Sequence, residues 1–176
     1  GKEAAHVALR RDFLPIDYSY VEKESRKVDL ILSEESLFNI NAIRKNLGGF
    51  LFKNAGVFRS EDSLSSALEY VHYLMQHQYG LHCVNKDLHD NVELASIIEF
   101  KNALLIAEAM VLSALKRKES RGVHYRDDYP QKDDKHFDCE SYIEQINETN
   151  FKVSFKNNTR EGLWRFLSKL LNFLNN

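Results

Sequence analysis

The feature that most constrains this chain is one long apolar stripe. Leu94, Ile97, Ile98, Leu104, Leu105, Val111, Leu112 and Leu115 recur at helical spacing. They hold one face for roughly 28 residues, about 40 Å at the α-helical rise. A helix of that length over residues 91–119 cannot bury its stripe alone. It needs neighbours of similar length, which predicts a bundle. Asp90-Asn91-Val92-Glu93 before it has the form of a capping box. Lys116-Arg117-Lys118 falls in its last turn, where cations offset the negative helix end. Gly122 reads as its stop.

The neighbours are visible upstream. A sparse stripe of Val21, Val28, Ile31 and Leu32 predicts a helix over residues 19–33. Asn39 is a candidate N-cap for a helix carrying Ile40, Ile43, Leu47, Phe50, Leu51 and Phe52. Gly48-Gly49 inside it suggests a close helix crossing, and Gly56 a left-handed stop. Ser60 caps a further helix with Leu64, Ala67, Leu68, Val71, Leu74 and Met75, ending at Gly80. Residues 81–89 read as a polar connector. Residues 3–11 read as the end of a helix with no cap before it, so the chain reads as a piece cut from a longer protein. With only Pro15 and Pro130, the composition also favours helices.

Beyond Gly122 the character changes. Residues 116–136 hold seven Lys/Arg and five Asp/Glu, interrupted by Tyr125, Tyr129 and Pro130. Phe151 to Lys156 alternates apolar and polar residues, the pattern of a strand with one buried face. Thr159 opens a short amphipathic helix over residues 160–174, with Leu163, Phe166, Leu167, Leu170, Leu171 and Leu174 on one side. Covering its own domain is the favoured role of that helix, and a partner surface the alternative. The expected fold is mainly α: an antiparallel three-helix, spectrin-repeat-like bundle with an extended C-terminal segment, one short strand and a terminal helix. Residues 1–11 form a remnant of a preceding helix, residues 12–122 the bundle, and residues 123–176 the extended segment, strand and amphipathic helix.

The chemistry of the chain is sparse. A length of 176 residues suits one domain and is too short for a nucleotide-cofactor domain plus a substrate domain. Net charge −2 argues against bulk attraction to nucleic acid or anionic lipid. Cys83 and Cys139 make neither a disulfide framework nor a zinc site. His72, His77, His82 and His89 lack metal-ligand spacing and read as surface or loop histidines. No glycine-rich phosphate loop or nucleophile elbow is present. The sequence thus predicts no catalytic, metal or cofactor-binding residue within this chain.

The strongest local feature runs from Arg117 to Pro130. It presents Arg121, His124 and Arg126 within six residues, with their side chains expected to point off the bundle. An internal ion-pair network and a domain or subunit contact both suit such donors.

Three segments carry a resemblance to the C-terminal helical domain of the succinate dehydrogenase/fumarate reductase flavoprotein family. Asn54 to Leu64 resembles the family's NxGVFRxxxxL junction. Glu99 to Ala109 resembles its ExxNxLxxAE helix, and Arg117 to Pro130 its RKESRGxHYRxDYP segment. The resemblance implies a parent oxidoreductase that holds FAD in a separate domain and interconverts succinate and fumarate. Its catalytic residues would precede Gly1, so this chain alone should be inactive. It further implies packing on the flavin domain and on an iron–sulfur subunit, at the cytoplasmic face of a membrane or, in some members, in the periplasm. The contact role is carried to Glu119, Ser120, Arg121, Gly122, His124, Tyr125 and Arg126. L-aspartate oxidases share the ESRGxHxxxDYP pattern and remain an alternative parent, although the long stretch from Val21 to Leu47 favours the succinate/fumarate side. A free-standing helical binding protein is the other alternative.

Overall fold

The computed structural model describes residues 2–10, 17–33, 35, 39–77, 80–147 and 150–156. Along the chain these form α1 (Lys2–Arg10), α2 (Tyr18–Ser33), α3 (Ile40–Ala55), β1 (Phe58–Arg59), α4 (Glu61–His77), α5 (Val92–Lys116), β2 (Tyr125–Arg126), α6 (Asp134–Phe137), β3 (Glu140–Asn147) and β4 (Asn150–Lys156). The expected helix over residues 160–174 lies outside the described residues.

The core follows from the periodicity of α4 and α5. Leu64, Ala67, Val71 and Leu74 face Leu94, Ile97, Phe100, Leu104, Ala107 and Val111, all buried. Steps of three and four residues keep each set on one stripe. Ile40 and Leu47 of α3 and Ile31 of α2 close the cluster. Phe100 and Ala107 complete the α5 stripe, and Ile98 turns outward at 38% exposure. Leu104 is wholly buried at the centre. Leu104→Ala should therefore lower stability by about 2–5 kcal/mol, transfer and cavity terms together. An unchanged urea midpoint would place the stripe on the wrong face.

The helix starts follow local chemistry. The Asn39 side chain accepts from the Ala42 N–H at 3.1 Å. Ser60 and Ser63 exchange backbone-to-hydroxyl bonds in both directions at the start of α4. At α5 the cap is Asn91, which accepts from the Leu94 N–H at 2.9 Å. The capping box does not close. Glu93 instead accepts from the backbone N–H groups of Val84 and Asn85 and fixes the preceding loop.

Several expectations fail for tertiary reasons. The connector after Gly80 is not polar throughout, because Leu81, His82 and Cys83 are buried. The Cys83 N–H and the His82 ring bond the last carbonyls of α2, at Ile31 and Leu30. His82 is thus a loop histidine, as expected, but a buried one. Gly56 is not left-handed, with φ −68°. A Cβ there would run into the Phe52 carbonyl oxygen. Gly48 and Gly49 face open space among the described residues, and no helix crosses there. The helix α5 stops at Lys116, well before Gly122.

The predicted strand has an unforeseen partner. β4 pairs antiparallel with β3, with Ser141 opposite Phe155 and Ile143 opposite Val153. A second, two-residue parallel ladder joins β1 to β2, with Phe58 opposite Tyr125 and Arg59 opposite Arg126. This ladder ties the α3–α4 junction to the segment after α5 and so positions the candidate site.

Candidate functional site

The end of α5 is set by a side chain ten residues further on. Arg126 is completely buried. Its Nη1 donates to the carbonyls of Ala114 at 3.0 Å and Leu115 at 3.2 Å. These are orphan acceptors of a helix C-terminus, where positive charge is favoured. The other side of the guanidinium forks onto Asp128, at 2.7 Å and 2.6 Å. Asp128 in turn accepts from the Glu61 N–H at the start of α4, 2.9 Å away. One ion pair therefore joins the negative end of α5 to the positive end of α4. Arg126 holds the Asp128 carboxyl down at about 2, against the opposing effect of burial.

A second network sits beside it. Glu119 is also completely buried. Its carboxylate accepts from Arg117, from Arg121 Nε at 2.7 Å and Nη2 at 3.0 Å, and from the Asp133 N–H at 2.9 Å. Burial pushes the Glu119 carboxyl up, but Arg121, the Asp133 amide and Arg117 together bring it below its usual value. Arg121 reaches on to Asp134 at 2.8 Å, and its two carboxylate partners hold it firmly charged. Arg117 also bonds the carbonyls of Phe137 and Cys139. It lies over the Phe137 and Phe155 rings at 5.6 and 5.4 Å, which secures the β3–β4 hairpin. Ser120 accepts from the Arg126 N–H and donates to the Tyr129 carbonyl, both at 2.8 Å.

Between the networks the chain makes a tight reversal. Arg121 and His124 exchange backbone hydrogen bonds of 2.8 and 3.0 Å across Gly122-Val123. Gly122 has φ +58°, where a glycine is least strained. His124 Nδ1 faces Arg59 Nη1 at 2.7 Å. A guanidinium only donates, so Nδ1 accepts. The ring proton then sits on Nε2, facing the Arg117 carbonyl at 3.2 Å. Burial, followed by the cations of Arg59, Arg126 and Arg117, lowers the His124 pKa and keeps the ring neutral, although its bond to the Arg117 carbonyl acts the other way.

The expectation that all three donor groups point off the bundle is therefore corrected. Arg126 points inward, His124 is half-buried against Arg59, and Arg121 is spent on Glu119 and Asp134. What faces outward is apolar. Val57, Phe58, Val123 and Tyr125 are exposed, with Val123 at 83%. Phe58 and Tyr125 meet edge to face at 5.6 Å across the β1–β2 ladder. Sequence reasoning missed this edge because it weighed the charged residues. It also missed Glu108, 3% exposed and bonded to His72 at 3.0 Å. The signal was present, since Glu108 closes the ExxNxLxxAE pattern.

The donors here do not fit a flavin pyrophosphate. Such a group seeks free N–H groups at a helix start. The starts of α3, α4 and α5 are occupied by Asn39, by Ser63 and Asp128, and by Asn91. Among the described residues no group of three or more His, Cys, Asp or Glu could hold a metal ion. Nor is any described helix long and apolar enough to cross a membrane.

Comparison with known proteins agrees with this architecture. Residues 44–166 match the family model described as the fumarate reductase flavoprotein C-terminal region. The chain is 30% identical over 162 residues to the fumarate reductase flavoprotein subunit of Mycobacterium tuberculosis, covering 88% of this chain and 28% of that protein. It is 42% identical over 97 residues to the 8-methylmenaquinol:fumarate reductase flavoprotein subunit of Wolinella succinogenes, covering 54% of this chain and 16% of that protein. The chain thus spans less than a third of the length of these relatives. A solved quinol–fumarate reductase with menaquinol molecules superposes with a TM-score of 0.82 at 18% identity, over 90% of this chain and 28% of that one. Adenylylsulfate reductase from Archaeoglobus fulgidus shares the fold with a TM-score of 0.74 at 21% identity, over 90% and 28%. By its matched sequence and its helical architecture, the chain belongs to the family of fumarate reductase and succinate dehydrogenase flavoprotein C-terminal domains.

Proposed function

We propose that this chain is the helical, non-catalytic part of a flavin-dependent subunit that interconverts succinate and fumarate. The rest of that subunit holds FAD and the reacting groups. The bundle of residues 12–122 is the body, and the reversal that opens the segment of residues 123–176 presents its contact edge. That edge packs on the flavin domain, with an iron–sulfur subunit as a further partner, at the cytoplasmic face of a membrane.

One observation carries the contact role. The exposed apolar edge of Val57, Phe58, Val123 and Tyr125 is backed by the buried ion pairs of Arg126 and Glu119. A surface held this rigidly loses little conformational freedom on binding. Gly122 and Tyr125 lie on the edge itself, and Glu119, Ser120, Arg121, His124 and Arg126 hold it from behind. The fumarate reductase names of the relatives favour fumarate over L-aspartate as the parent's substrate.

The test introduces Val123→Asp with Phe58→Ser into the full-length flavoprotein. Both side chains are exposed, so the 176-residue chain itself should keep its stability to within about 0.5 kcal/mol. Flavin content or fumarate turnover of the full-length protein should fall by about tenfold, the effect of roughly 1.4 kcal/mol of lost interface energy. Normal flavin content and turnover in the variant would remove the contact role. Turnover of L-aspartate in place of fumarate would reassign the parent.

A further inference from the structure

A cavity of about 780 Å³ opens between α2, α4 and α5, with Gln145 of β3 and Asn150 of β4 beside it. Most of its lining surface is apolar, supplied by Val28 and Ile31 of α2, Met75 of α4, Leu81, and Ile98 and Leu105 of α5. Five ionisable side chains also line it: Glu24, Lys27, His72, His82 and Lys101. Four of them are already engaged. Lys27 pairs with Glu24 at 2.8 Å. The His72 ring bonds the buried Glu108 carboxylate, and the His82 ring the Leu30 carbonyl, each at 3.0 Å.

Lys101 is the exception. It is half-buried, and no carboxylate pairs with it among the described residues. Burial, followed by the charge of nearby Lys27, pushes its amine below the ordinary lysine value. An ammonium in this position loses hydration to the apolar walls and receives no counter-charge in return. The cavity therefore joins an apolar body to one cation that lacks an anion.

We propose that this cavity binds a small amphiphilic carboxylate, its head on the Lys101 amine and its hydrocarbon body along Val28, Ile31, Met75 and Ile98. The volume lies in the range of small-molecule sites, which are mostly apolar with a few placed polar groups. Charge selects the head. One uncompensated cation matches a single negative charge, whereas a phosphate dianion would bring a second charge with no partner. The lining holds no arginine, so it lacks the planar fork that suits phosphate. A cationic amphiphile would meet Lys101 and Lys27 together, and a neutral one would leave Lys101 unpaired. The cavity shares no residue with the apolar edge at Val57, Phe58, Val123 and Tyr125, so its ligand is independent of what packs on that edge.

Calorimetric titration of the 176-residue chain at neutral pH with octanoate, 1-octanol and acetate tests the site. Octanoate should bind about tenfold or more tightly than either control, the worth of one charge-assisted hydrogen bond added to the apolar contact. Lys101→Met keeps the apolar stem and removes the charge. It should bring octanoate down to the level of 1-octanol and leave 1-octanol unchanged. The urea midpoint of this variant should be equal or higher, because an unpaired half-buried charge is gone, so lost binding is not lost folding. Lys45→Met, at an exposed lysine of α3 away from the cavity, should bind octanoate as the unmodified chain does. Failure of octanoate to bind would overturn the proposal. Equal affinity for 1-octanol would reduce the cavity to an apolar cleft, and equal affinity for acetate would reduce it to surface charge; either result overturns the proposal. Full octanoate preference in Lys101→Met, or its loss in Lys45→Met, would do the same by placing the head elsewhere.

Discussion

Arg126→Ala should lower the stability of the 176-residue chain by about 3–5 kcal/mol, the usual cost of breaking a buried ion pair from one side. Three groups lose their partner at once. The carbonyls of Ala114 and Leu115 become buried acceptors without a donor. Asp128 keeps the Glu61 N–H and loses both arms of the fork. Arg126→Lys separates charge from geometry, since an ammonium restores the charge without the planar fork. It should recover part of the loss and leave the helix end frayed, seen as faster amide exchange over the last turn of α5. A loss within about 0.5 kcal/mol for Arg126→Ala would show that the pair is solvated and that α5 stops for another reason.

This residue also shows where sequence reading stops. The stripe of Leu94, Leu104 and Val111, the caps Asn39 and Ser60, and the strand at Phe151–Lys156 were legible because each depends on neighbours a few residues away. The end of α5 was not. Local pattern favours a helix through Glu119 to the glycine at 122, but Arg126 folds back and takes the carbonyls before it. Glu119 and Arg126 read as surface charges for the same reason. Burial of an ion pair depends on what packs over it, and here the cover comes from Tyr129, Asp133 and Asp134 further along the chain. The Gly48-Gly49 pair was read as a crossing, yet the described residues leave it open. The segment proposed as a contact was misjudged in chemistry: its charges hold the loop, and its apolar edge faces outward.

Acid should dismantle the same networks in a defined window. Glu119 and Asp128 both have folded-state pKa values below their ordinary 4.5 and 3.8. A depressed carboxyl contributes stability that is complete above its unfolded value and disappears as pH falls through its folded value. The urea midpoint should therefore drop between about pH 5 and about pH 2, the lower limit set by Asp128. Glu119→Gln isolates one contribution. The amide keeps the size and an oxygen for the Asp133 N–H, but it removes the charge and turns an NH₂ group toward Arg117 or Arg121. At neutral pH the variant should lose about 3 kcal/mol, the lower end for a broken buried pair, because Arg121 retains Asp134 and Arg117 retains two carbonyls. Its acid limb should then be shallower than that of the unmodified chain, since nothing at position 119 is left to titrate. If the two chains lost stability in parallel from neutral to acid, Glu119 would not be a buried charged acceptor, and Arg117 and Arg121 would be held by the carbonyls and Asp134 alone.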